Sequence, residues 1–187
     1  MSAEANQSSE EQVTKDDAAE SLQVSAGDQY LTFILNNETY GISILKVQSV
    51  QGWERVTQLP NSPDYVLGVI NMRGDVVPII DLRLRFAMGS GEFTERTVVI
   101  IVKVECRDHP RTVGLVVDAV SEVQNVRADE FREAPDLGNN ISSEYIKGLG
   151  LADKGMVILL DIDRLISGGV MDVLMGVDAK EANSKEI

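Results

Sequence analysis

Two residues that could do covalent chemistry stand three positions apart in this chain, Cys106 and His109, in the run CRDHP. A thiol beside an imidazole is the minimum of a nucleophilic site, the base taking the proton, and both groups ligate zinc. Each is the only residue of its type, so two further zinc ligands of the usual kind and any disulfide partner are missing. Pro110 and the surrounding charges place the pair on a polar loop. Asp118 closes the apolar run VGLVVD, where a phosphoacceptor could sit, but no acidic pair for Mg²⁺ stands near it. Asp81 and Asp161 each end an apolar run and open a helical one, which fits N-caps accepting hydrogen bonds from free amides. The remaining candidate is Arg73, in NMRGDVVPII. It could clamp a carboxylate or carbonyl with a forked pair of donors, or simply decorate a tight turn. The phosphate-loop, dinucleotide and nucleophile-elbow patterns are missing. The residues point to binding, with no cofactor or metal expected and no enzymatic activity. The competing reading is an enzyme built around Cys106 and His109.

The elements that must position these residues sit in an acidic chain. Thirty acidic residues face seventeen basic ones, a formal charge of −13. That disfavours sequence-independent binding to nucleic acid or to anionic membrane. No apolar run reaches the roughly 18 residues of a membrane span, so direct membrane insertion is not expected. Residues 1–27 hold six acids and one lysine with few aliphatics, too little apolar surface to offset ordering entropy. They read as a disordered acidic tail and not as a secretory signal. A soluble, cytoplasmic protein is the simplest fit. Residues 28–168 form the folded part. Within 169–187, Met171, Leu174 and Met175 fall at helical spacing, predicting a short C-terminal helix and tail.

Alternating and apolar runs predict four hairpins: 30–35 with 40–44, 66–71 with 76–80, 97–104 with 112–117, and 145–151 with 156–161. The asparagine pair after residue 35 and Arg73-Gly74 mark tight turns. Pro78 predicts an edge or bulged strand. The chain also repeats itself. YGISILKVQSV from Tyr40 matches VGLVVDAVSEV from Val113 without a gap. VLGVI and RGDVVPIIDL resemble IKGLG and KGMVILLDI, with Gly68 and Gly148 eighty residues apart and Asp81 and Asp161 likewise. Two copies of a short-strand unit predict a mainly β protein of two similar barrels, each of roughly 60–75 residues.

Taken together, YGISILKVQSV, LGVINMRGDVVPIIDLRLRF, VGLVVDAVSEV and IKGLG with MVILLDI resemble the CheW family of chemotaxis coupling proteins. The resemblance covers about residues 30–166; the 105–111 loop is longer than typical. It implies two SH3-like five-stranded barrels with a few short helices, about 28–86 and 95–167, with possible exchange of end strands. It implies a non-enzymatic adaptor joining methyl-accepting chemotaxis receptors to the regulatory domain of the CheA histidine kinase, recruited to receptor clusters at the membrane. A coupler serving a pathway with an output other than flagellar motility is the alternative. Receptor contacts are expected at Val47, Gly68, Arg73, Val98, Gly114 and Val123, in a groove between the barrels. Kinase contacts are expected at Val76, Arg132 and Leu137. Core packing is the competing reading for Val47, Val98 and Val123.

Overall fold

The computed structural model describes residues 28–106, 109–133, 143–152 and 155–167. The expected acidic tail, the C-terminal helix, Leu137 and the lysine of the second basic-glycine turn lie outside them. Strand β1 (Asp28–Leu35) turns into β2 (Glu38–Ser43) through Asn36 and Asn37, at φ 48° and 68°. Two consecutive positive φ values are what a two-residue hairpin needs to match strand twist, and asparagine tolerates them. A 3₁₀ turn (Ile44–Lys46) leads to β3 (Val47–Gly52); β4 (Val66–Met72) and β5 (Asp75–Asp81) form the next hairpin, followed by helix α1 (Leu82–Arg85). Then come β6 (Val98–Val104), β7 (Arg111–Val117), β8 (Ala119–Val126) and the short β9 (Phe131–Arg132). The last hairpin, β10 (Ile146–Ala152) with β11 (Gly155–Leu160), runs into helix α2 (Ile162–Ser167).

The strands form two sheets, in the order β8-β1-β2-β11-β10-β9 and β3-β6-β7-β5-β4. The protein is mainly β, as the apolar runs predict, but one sheet carries a sixth strand, the two-residue β9. The exchange between the halves is also larger than a swap of end strands. Each sheet takes its central hairpin from the opposite repeat: β1–β2 pair with β8 and β11, and β6–β7 pair with β3 and β5. With the repeats superposed, the two strand orders are the same. The chain has traded hairpins with itself.

Pro78 is the other correction. Strand β5 lies inside its sheet, between β7 and β4. It pairs with β7 only over Ile79–Asp81, so the residue without an N–H sits where that ladder has not begun.

The largest core cluster lies between the sheets, with Phe33, Tyr40 and Ile42 from one, Ile100, Leu115 and Val117 from the other, and Leu82, Phe86 and Leu165 from the helices. Smaller clusters fill each sheet's other face: Val77, Ile79, Val99, Ile101 and Val116 in one, Tyr30, Val126, Val157 and Leu159 in the other. Both aspartates are caps. Asp81 accepts from the Arg83 amide at 2.8 Å and Asp161 from the Arg164 amide at 3.0 Å.

Candidate partner-binding surface

The β4–β5 tip is held by its own residues. Arg73 and Gly74 take φ 55° and 99°, and the Gly74 amide donates to Asn71 Oδ1 at 3.0 Å. The turn therefore presents the Arg73 side chain to solvent on a fixed backbone. Beyond it Val76 is 68% exposed, while Val77 and Ile79 are buried in the sheet's own core. The tip of this hairpin thus carries one expected receptor residue, Arg73, and one expected kinase residue, Val76, three positions apart. The β10–β11 tip repeats the arrangement, with Gly155 at φ 128°, Met156 58% exposed and Leu151 also exposed. Met156 stands eighty residues after Val76. The repeat carried the sign that could have found it.

The other expected contacts separate into presented and interior residues. Val123 is exposed on β8, opposite Leu31. Val47 and Val98 are half-buried against the inter-sheet core, Val47 paired with Val102 and Val98 with Gly52. Gly68 and Gly114 flank Ile79 on one rung of the sheet, and both are buried. A Cβ on Gly68, at φ +146°, would lie 2.2 Å from the Thr57 carbonyl oxygen; one on Gly114 would lie 2.4 Å from Ile79 Cδ1. These two glycines let neighbours approach and offer a partner no side chain. Arg132 is exposed on β9 but donates to the carbonyls of Asp129 and Phe131, at 2.7 and 2.9 Å. Leu137 lies outside the described residues. Sequence reasoning passed over Leu45, 91% exposed in the 3₁₀ turn before β3.

Arg83 and Asp81 form a buried ion pair that the partly exposed Asp118 joins. The Arg83 guanidinium donates to both Asp81 oxygens at 3.1 and 2.8 Å and to Asp118 Oδ1 at 3.0 Å. Asp118 Oδ2 accepts from the Asn36 amide at 2.8 Å. The hydrogen bond to Asp81, reinforced by the charges of Asp81 and Asp118, raises the Arg83 pKa further. Asp118 is thus consumed in tying β7's end to α1 and to the β1–β2 turn, which is a structural task. The second crossover has a counterpart: Lys46, leaving β2, pairs with Asp163 at the start of α2 at 2.7 Å.

A cleft of about 690 Å³ opens beside Arg83 and Asp118, walled by Asn36 and the loop from Met88 to Thr97. Neither a cysteine nor a histidine lines it. Among the described residues no group of three His, Cys, Asp or Glu side chains could hold a metal, and no helix is long and apolar enough to cross a membrane. What the surface offers is rigid, partly apolar contact area.

A model of the CheW-like domain matches residues 29–169. The chain belongs to the CheW family. It is 43% identical over 153 residues to a chemotaxis protein CheW of Klebsiella aerogenes, covering 82% of this chain and 90% of that one. To a probable chemotaxis protein CheW of Rhizobium etli it is 34% identical, covering 77% and 91%. Among solved structures, the scaffolding protein TtCheW of Thermoanaerobacter tengcongensis superposes with a TM-score of 0.68 at 28% identity, covering 78% of this chain and 91% of that one.

Proposed function

We propose that this chain is a non-enzymatic chemotaxis adaptor that couples methyl-accepting receptors to the CheA regulatory domain, in the cytoplasm at receptor clusters. The observation that carries the reading is the β4–β5 tip, where an exposed arginine and an exposed valine stand on a turn fixed by Asn71 and backed by a packed core. A rigid tip loses little conformational entropy when a partner docks. An apolar surface between packed sheets suits the face of a receptor helix. In this reading Arg73, Val123 and the exposed parts of Val47 and Val98 meet the receptor. Gly68 and Gly114 act by shaping the strands beneath. Val76, Arg132 and Leu137 meet the kinase.

Calorimetric titration with a receptor signalling fragment and with the CheA regulatory domain tests this. Arg73→Ala is expected to weaken receptor binding by about 1–2 kcal/mol, the scale of a charge-assisted hydrogen bond. Arg73→Lys is expected to lose nearly as much, because it keeps the charge and loses the fork. Val76→Glu is expected to weaken kinase binding while circular dichroism stays unchanged. Normal binding of both partners by Arg73→Ala and Val76→Glu would overturn the assignment.

A further inference from the structure

Lys103 interrupts an apolar strand. In β6, VVIIVKV, it is the one exposed residue, set between buried Val102 and Val104. The strand lies inside its sheet, between β3 and β7. Thr112 stands opposite Lys103 and hydrogen-bonds to Gln48 of β3, on the other side, at 3.4 Å. Neither neighbour offers a counter-charge.

With thirty acids for seventeen bases, a cation in this chain is easily matched. Lys46, Arg83, Arg127, Lys147 and Arg164 each pair with a carboxylate. Among the described residues Lys103 and Arg73 do not. Arg55 and Arg96 also lack such a partner, but each directly follows a glutamate, at the opposite end of the sheet.

The topology brings Arg73 and Lys103 to one end. Strands β5 and β7 run parallel, so the Arg73 turn and the start of β7 at Arg111 lie side by side; β6 is antiparallel to β7 and finishes there with Lys103 and Val104. Strands β5 and β6 are two strand spacings apart, about 10 Å, close to the screening length at about 0.1 M salt. The two charges therefore act together on one bound segment. Arg111 and the exposed His109 stand beside them, against Asp75 and Glu105. In a chain of net charge −13 this end is the cationic one, so an anionic segment is repelled elsewhere and directed here. A nucleic acid, with one charge per about 1.7 Å of axis, needs a longer cationic track than three side chains beside two carboxylates.

We propose that this end of the sheet docks a carboxylate-bearing polypeptide segment, with Arg73 as a forked donor and Lys103 as the second charge. In the adaptor reading the segment belongs to the receptor; that assignment alone rests on the reading.

The isotope-labelled full chain, titrated with a hexaglutamate peptide and followed by amide shifts, tests the surface. The expected result is a saturating shift of the Arg73, Gly74, Lys103, Arg111 and Thr112 amides that fades between about 50 and about 500 mM salt. Lys103→Glu, with circular dichroism unchanged, should weaken it about tenfold, and Lys103→Arg should leave it intact. Absence of shifts at this end, or shifts that survive Lys103→Glu, overturns the proposal. So does an oligothymidylate that gives the same shifts at lower concentration, which assigns the end to nucleic acid. A receptor signalling fragment then identifies the source of the carboxylates. It should lose affinity for Lys103→Glu while the CheA regulatory domain does not. Equal affinity for Lys103→Glu and the unmodified chain overturns the receptor assignment and leaves the adaptor reading standing. Failure of the fragment to bind the unmodified chain, with the hexaglutamate shifts present, removes the adaptor reading and leaves the docking surface.

Discussion

Burial, with the neighbouring Glu38 carboxylate as the smaller cause, pushes the Tyr40 hydroxyl up to about 12 from its usual 10. The neutral form is favoured in the folded state, so this contribution to stability is complete below pH 10 and disappears as pH rises from 10 to 12. Tyr40→Phe keeps the stacking against Phe33 and Phe86 and removes the ionisation. The variant should lose about 2–3 kcal/mol less than the parent across that window, at about 1.4 kcal/mol per pKa unit, measured by urea unfolding at the two ends. Equal losses would show that Tyr40 ionises without opening the core. Arg83 makes a second prediction. Asp81 is almost fully buried, and Arg83→Met leaves it without a counter-charge, which should cost about 3–5 kcal/mol. Asp118→Asn should cost much less, because Asp118 keeps solvent contact.

Two glycines separate strain from collision at the scale of the element. Gly74 has open space around a would-be Cβ, so Gly74→Val should cost only its left-handed backbone, about 1–2 kcal/mol. Gly68→Ala combines an unfavourable φ with a clash against the Thr57 backbone and should destabilise more than Gly74→Val in the same urea series. The reverse order would mean that the segment around Thr57 yields freely. The strands that sequence showed well are the buried ones: β6 and β7 are nearly continuous apolar runs, buried along most of their length. Strands β3 and β8 escaped as elements, although both lie in the matched repeat segments. Their polar residues face solvent at sheet edges, and VQSVQG has no pattern that distinguishes a strand from a loop. The tip at Arg73 was legible from Arg-Gly between strands. The interior position of Gly68 and Gly114 was not, since it depends on distant neighbours: the Thr57–Gln58 backbone over Gly68, and Ile79, Val99 and Ile101 around Gly114.

Across the whole molecule the principal core lies between the sheets, and each sheet borrows its central hairpin from the other repeat. Neither half can complete its sheet alone. Unfolding should therefore be a single transition, with coincident fluorescence at Trp53 and far-ultraviolet dichroism. A fragment ending at residue 86 should remain unfolded, because β1 and β2 lack β8 and β11. Two resolved transitions, or a folded fragment, would refute this. The family resemblance implied an exchange of end strands, but the residues did not show that whole hairpins trade, for a physical reason: repeats with matching apolar patterns make either sheet an equally good apolar home.

The two crossover ion pairs break that tie. Asp118 meets Arg83 on α1, and Lys46 meets Asp163 on α2. Arg83 and Asp163 hold equivalent places, each two residues after its capping aspartate. Lys46 and Asp118 stand one position apart in the gapless match, both at the exit of their hairpins; had each hairpin stayed with its own repeat, Lys46 would come near Arg83 and Asp118 near Asp163, like charge near like. Opposite polarity thus works as an address, telling two near-identical hairpins which sheet is theirs. Inverting one pair, Lys46→Asp with Asp163→Lys, keeps both contacts yet makes the addresses the same. Its equilibrium stability should fall by no more than about 1–2 kcal/mol, since that pair is partly exposed and the inversion also gives up the hydrogen bond from the Glu105 amide to Asp163, while refolding should acquire a slow, misrouted population.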